Sequence, residues 1–142
     1  MDGKQLCKYR KMHMFDIDVE GGQYYNESSV ITAGNEICVA ETEFGPIGIA
    51  ICYDVRFPEQ FRLMQQRGVK AVVLPASFNR TTGPAHWELL MRARALDQEM
   101  YVLGCAAAGE LDGSYNGWGT SIAVDPWGTT MEELGEGTGT MV

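Results

Sequence analysis

A single α/β domain is the fold this sequence predicts, and three observations carry the prediction. Short β-rich apolar runs alternate with longer stretches of helical periodicity. No internal repeat or low-complexity linker interrupts them. The 142 residues, 45% of them hydrophobic, are enough for one domain to bury roughly two-thirds of its unfolded surface.

The elements follow in order. Residues 37–42 and 47–52 read as two strands joined by a turn at Glu43-Phe44-Gly45-Pro46. Beyond Cys52 the character changes to helix: Pro58 suits a first helical position, Phe57, Phe61 and Met64 recur at i, i+4 and i+7, and Gly68 supplies a stop. Residues 69–75 form an apolar run of the kind found in buried strands. After a loop at 76–83, a second helix is expected from Pro84 to near Glu99, with Trp87, Leu90, Met91 and Ala95 on one side. That stripe reads as core or subunit interface rather than ligand site. Residues 101–107 are the next strand, Asp112-Gly113 and Gly117-Trp118-Gly119 mark loops, and 120–124 with 129–134 make a hairpin hinged at Pro126-Trp127-Gly128. At the start, Asp2-Gly3 signals a two-residue hairpin turn with residues 4–10 as the outgoing strand, whose incoming partner would precede Met1.

The net charge of −8 is unevenly spread. Every Lys and Arg lies at or before Arg94, where acids and bases balance, so the acids after it carry the whole excess. An acidic chain with no basic stripe is a poor partner for nucleic acid or an anionic membrane. Its longest apolar runs, such as 71–74, are far below the roughly 20 residues of a membrane-spanning helix, and Met1-Asp2-Gly3-Lys4 opens no apolar signal segment. A soluble, cytoplasmic protein is expected. Cys7, Cys38, Cys52 and Cys105 are widely spaced, with no Cys-x-x-Cys pair and no histidine cluster, which argues against zinc, thioredoxin-like redox chemistry and disulfides.

One cysteine is placed for chemistry. Gly48-Ile49-Ala50-Ile51-Cys52-Tyr53-Asp54 sets Cys52 where an apolar strand ends and a helix begins, at the carboxyl edge where α/β sheets bind ligands, and a helix N-terminus there favours the thiolate. Alone, a cysteine in this position also fits inert packing.

The surrounding segments decide between these readings. Tyr9 to Asp16 (Tyr-Arg-Lys-Met-His-Met-Phe-Asp), Tyr25-Asn26-Glu27-Ser28, Ile51-Cys52-Tyr53-Asp54-Val55-Arg56-Phe57-Pro58-Glu59, and Thr82-Gly83-Pro84-Ala85-His86-Trp87-Glu88 with Arg92-Ala93-Arg94-Ala95 resemble, in order, the nitrilase or carbon-nitrogen hydrolase superfamily. The Phe78-Asn79 loop running into residues 82–90 is most similar to its omega-amidase and deaminated-glutathione-amidase branch. The resemblance implies a four-layer αββα sandwich, here partial, and a Glu-Lys-Cys triad in which Cys52 matches the nucleophile and Lys11 the lysine. It further implies that the Tyr53 N–H is a second oxyanion donor and that Glu27 positions the lysine or substrate. No metal or organic cofactor is implied.

The implied reaction is hydrolysis of a small carboxylic acid amide through a cysteine thioester, with release of ammonia. A likeness to oligomeric enzymes implies a homo-oligomer. The general-base glutamate of the family lies upstream of the lysine motif and has no counterpart here. Residues 135–142 also resemble the start of a strand pair. The chain therefore reads as one domain, 1–142, incomplete at its N-terminus and slightly at its C-terminus: a fragment, a misjudged start or a natural half-protein.

Two competing readings stand beside this one. A papain-type dyad would pair Cys52 with His13 or His86, although an alternating strand would put His13 on the same face as Lys11, which favours a structural histidine beside the site. A non-catalytic truncated paralogue would act as an interaction or oligomerisation module. Glu59 and Glu88 read as structural partners of Arg56, Arg92 or Arg94, with Glu88 a candidate for the pocket wall.

Overall fold

The computed structural model describes residues 3–110 and 115–142. The turn expected at Asp112-Gly113, and Asp2 of the first turn, lie outside the described residues. Two short strands, β1 (Asp16–Asp18) and β2 (Tyr24–Asn26), pair antiparallel ahead of a 3-10 turn at Glu27–Ser29. The main sheet then begins with β3 (Cys38–Thr42) and β4 (Gly45–Ile49), followed by a 3-10 turn at Cys52–Arg56 and helix α1 (Pro58–Gln66). Strand β5 (Ala71–Ala76), helix α2 (Gly83–Gln98) and strand β6 (Tyr101–Ala106) come next. Two short strands, β7 (Ala108–Glu110) and β8 (Asn116–Trp118), precede β9 (Ile122–Val124) and β10 (Thr130–Glu133).

Six of these strands form one mixed sheet in the order β10-β9-β6-β5-β4-β3. β4, β5 and β6 are parallel, and antiparallel neighbours flank them. Local chemistry explains the joints. The Thr42 hydroxyl accepts from the Phe44 N–H and donates to the Gly45 carbonyl, closing the β3–β4 turn. α1 has Pro58 at its start and stops before Gly68, whose φ of 81° suits the left-handed region open to a residue without Cβ.

The core lies between one face of the sheet and the two helices. Val72, Leu74, Val102, Ile122 and Val124 alternate inward against Phe61 and Met64 of α1 and Trp87, Met91 and Ala95 of α2, all buried. The Trp87 stripe is thus core, with Leu90 packed at its edge, and the indole N–H donates to the Thr120 carbonyl at 2.6 Å. Tyr101 and Leu103 point to the opposite face and are exposed.

Two expectations need correction. Residues 4–10 belong to no strand: no described strand pairs with them, and within the segment Tyr9 is held by side-chain hydrogen bonds to Asp54 and Gln60 instead. Trp118, expected in a loop, ends β8: backbone pairing of Gly117 with Gly109 and a Trp118 N–H bond to the Phe78 carbonyl outweigh the turn-forming composition. Among the described residues no helix is long and apolar enough to cross a membrane.

Candidate active site

Cys52 stands just past the carboxyl end of β4, and Ser77 just past that of β5, so the site opens at the carboxyl edge of the parallel strands. The chain turns sharply there. Cys52 has φ 48°, a left-handed backbone that costs a β-carbon residue of the order of 1 kcal/mol. The turn is held by Asp54, whose N–H reaches the Ile51 carbonyl at 3.1 Å while its carboxylate accepts from the Ile51 N–H at 2.8 Å. The elbow lifts the Cys52 sulfur out of the strand, where it faces the Ser77 carbonyl at 3.8 Å.

Lys11 arrives from a segment that runs beside the sheet rather than in it. The Gly34 N–H pins the Lys11 carbonyl at 2.8 Å, and Nζ lies 2.5 Å from Glu27 Oε2, with both side chains largely buried. The Phe15 N–H donates to the same oxygen at 2.7 Å. Lys11, Glu27 and Cys52 then share one cavity of about 600 Å³, walled by Phe15, Tyr25 and Tyr115. Sequence reasoning thus named three groups that the fold brings together from separate segments.

The fourth, Tyr53, does not line this cavity. Its ring packs 5.2 Å from Phe15 and 5.7 Å from Phe57, and it borders a small adjoining recess with Arg56, Phe78, Asn79 and Thr82. Cys52 lines both spaces. Arg56 lies over the rings of Tyr53 and Phe78 and bonds His86 Nδ1 at 3.2 Å. Among the described residues no carboxylate pairs with it.

The protonation of Cys52 differs from expectation. Burial pushes its thiol up; the Ser77 contact and Lys11 pull it down, while Glu27 and Asp54 push it up again, and the upward effects prevail. This is the opposite direction to the one that a lysine and a helix N-terminus would favour. Its geometry suits a nucleophile whose proton must be taken away in the reaction.

The histidines serve other groups. His13 Nδ1 lies 2.9 Å from Asp54 Oδ1 and its ring stacks on Phe57, and neither His13 nor His86 lines either space around Cys52. The strand expected to align His13 with Lys11 is absent. Glu88 makes a surface pair with Arg92, and Arg94 bonds Asp97 and the Val55 carbonyl. Arg56, read from sequence as an ion-pair partner, instead borders the site. Tyr115, just before β8, also lines the cavity and carried no signal. Among the described residues no group of three or more His, Cys, Asp or Glu side chains could hold a metal ion.

The carbon-nitrogen hydrolase family model matches residues 1–142. The chain belongs to the carbon-nitrogen hydrolase family. This carbon-nitrogen hydrolase chain is 44% identical over 136 residues to omega-amidase NIT3 of Saccharomyces cerevisiae, covering 96% of this chain and 47% of that protein. The crystal structure of Saccharomyces cerevisiae Nit3, a member of branch 10 of the nitrilase superfamily, superposes with a TM-score of 0.85 at 42% identity, over 96% of this chain and 46% of that one. A mutant amidase of the superfamily from Nesterenkonia sp. AN1, with acrylamide added at its active-site cysteine, matches at 25% identity and TM-score 0.74, over 92% of this chain and 48% of that one. The chain spans about half the length of the curated relatives it matches.

Proposed function

We propose that the protein hydrolyses the amide of a small carboxylic acid, as an omega-amidase-like enzyme, through a thioester on Cys52. The observation that carries this reading is the convergence of a strained, raised cysteine and a buried Lys11–Glu27 pair on one cavity. The Cys52 sulfur attacks the amide carbonyl, and the carbonyl oxygen gains charge as the tetrahedral intermediate forms. Lys11 Nζ and the Tyr53 N–H stabilise that oxyanion. The C–N bond breaks, the thiol proton ends on the leaving nitrogen, and ammonia departs from the thioester. Water then attacks the thioester, releasing the acid and restoring the thiol.

Glu27 holds Lys11 in this scheme, since Lys11 Nζ and the Phe15 N–H both donate to its Oε2. Arg56 supports a substrate that carries a carboxylate at its far end. A guanidinium without a carboxylate partner among the described residues, in a small recess next to the sulfur, offers a carboxylate the N–H donors that its bond to His86 Nδ1 leaves over. The substrate class is accordingly a short ω-amide of a dicarboxylic acid. Ammonia release from such an amide by the chain and by Cys52→Ala tests the reading. Release lost in the variant is the expected result, and equal release from both would exclude it.

A further inference from the structure

We propose, resting on the reading of the site just given, that Asp54 is the positioning residue that sets Lys11 against Cys52. Asp54 is fully buried and does not line the cavity, so it meets neither the substrate nor the reacting atoms. Its two oxygens reach in two directions. Oδ2 accepts from the Ile51 N–H at 2.8 Å and from the Tyr9 hydroxyl at 2.7 Å. Oδ1 accepts from the His13 N–H at 3.0 Å and faces His13 Nδ1 at 2.9 Å. Ile51 immediately precedes the cysteine, and Tyr9 and His13 stand two residues to either side of Lys11.

One carboxylate therefore ties the elbow to both flanks of the lysine. The flanks are braced in turn. Gln60 donates to the Tyr9 hydroxyl at 2.9 Å, and the His13 ring stacks on Phe57 at 3.6 Å between centroids. The Lys11 segment lies in no strand, so a sheet ladder does not fix its distance from Cys52. Hydrogen bonds to an acceptor-only carboxylate are about twice as strong as neutral ones. An amide in its place would present an NH₂ to one set of donors and lose that side of the clamp.

The test is a double-mutant cycle on the rate at which iodoacetamide alkylates Cys52, read on the Cys52 peptide by mass spectrometry at one fixed pH. The chain, Lys11→Met, Asp54→Asn and the double variant are compared. Lys11→Met is expected to slow alkylation about 5-fold in the parent chain and less than about 2-fold in the Asp54→Asn background, since interacting residues behave non-additively. Equal factors in the two backgrounds would assign Asp54 a merely structural role and overturn the proposal, as would a Lys11→Met effect absent from the parent. If circular dichroism shows Asp54→Asn unfolded, Tyr9→Phe takes its place, removing one donor on the lysine side and weakening the coupling. Failure of the amidase reading is separately visible, as absent ammonia release with the coupling intact.

Discussion

Lys11 Nζ and Glu27 Oε2 stand 2.5 Å apart in the wall of the cavity that Cys52 enters. The pair is buried, and its worth to the fold is a balance of desolvation against attraction. Removing one partner destroys that balance.

Glu27→Ala is expected to destabilise the chain by about 3 kcal/mol, because a lysine is left buried without its partner and the Phe15 N–H loses its acceptor. Urea unfolding of the variant checks the loss. Adding Lys11→Met should recover a large part of it, since the uncompensated charge goes too.

The raised Cys52 thiol sets a pH dependence with a definite sign. An ordinary thiol ionises near ~8.5, and burial moves Cys52 above that. Iodoacetamide labelling of Cys52 should therefore keep rising at pH values where a thiol in an unfolded peptide has already levelled off. Linkage runs the same way: between the unfolded and folded values only the native chain keeps its proton, so stability falls as pH rises through that window. Labelling rates against pH, for native and urea-unfolded chain, read the difference.

Arg56→Met tests the carboxylate recess. For an ω-amide that bears a distal carboxylate, kcat/KM should fall about 100-fold, the loss of a charge-assisted contact. For a neutral aliphatic amide it should change little. Steady-state kinetics with the two substrates provide the comparison.

Gly104→Ala tests how closely α2 packs on β6. A Cβ there would lie 2.8 Å from the Trp87 ring and 3.3 Å from Ile122, both in the core. Overpacking of this kind costs about 1–3 kcal/mol, and thermal melting should show it as a lowered midpoint with the fold retained.

The parts of the fold legible in the sequence are those whose signals are local. α1 announces itself through Pro58, the Phe61–Met64 spacing and Gly68, and β5 and β6 through unbroken apolar runs bounded by loop residues. β1, β2, β7 and β8 are three residues each, too short for a period to register, and exist because a neighbouring strand pairs with them. Within the site, Cys52, Lys11 and Glu27 were legible because each sits in a distinctive run of residues. Arg56 was not, because a residue in a helical turn beside glutamates reads equally well as a surface ion pair. The state of the Cys52 thiol was not legible either, since burial and the opposing pulls of Lys11, Glu27 and Asp54 arise only once distant segments meet.

In the proposed reaction Cys52 forms a thioester with the acyl group of an amide. Intact-mass measurement of the chain quenched in acid shortly after mixing with an ω-amide of a short dicarboxylic acid tests it most directly, with peptide mapping to place the adduct. The expected mass gain equals the substrate less ammonia, confined to the peptide holding Cys52 and absent from Cys52→Ala. An unmodified Cys52 peptide during ammonia release, or the same adduct on Cys52→Ala, would contradict it.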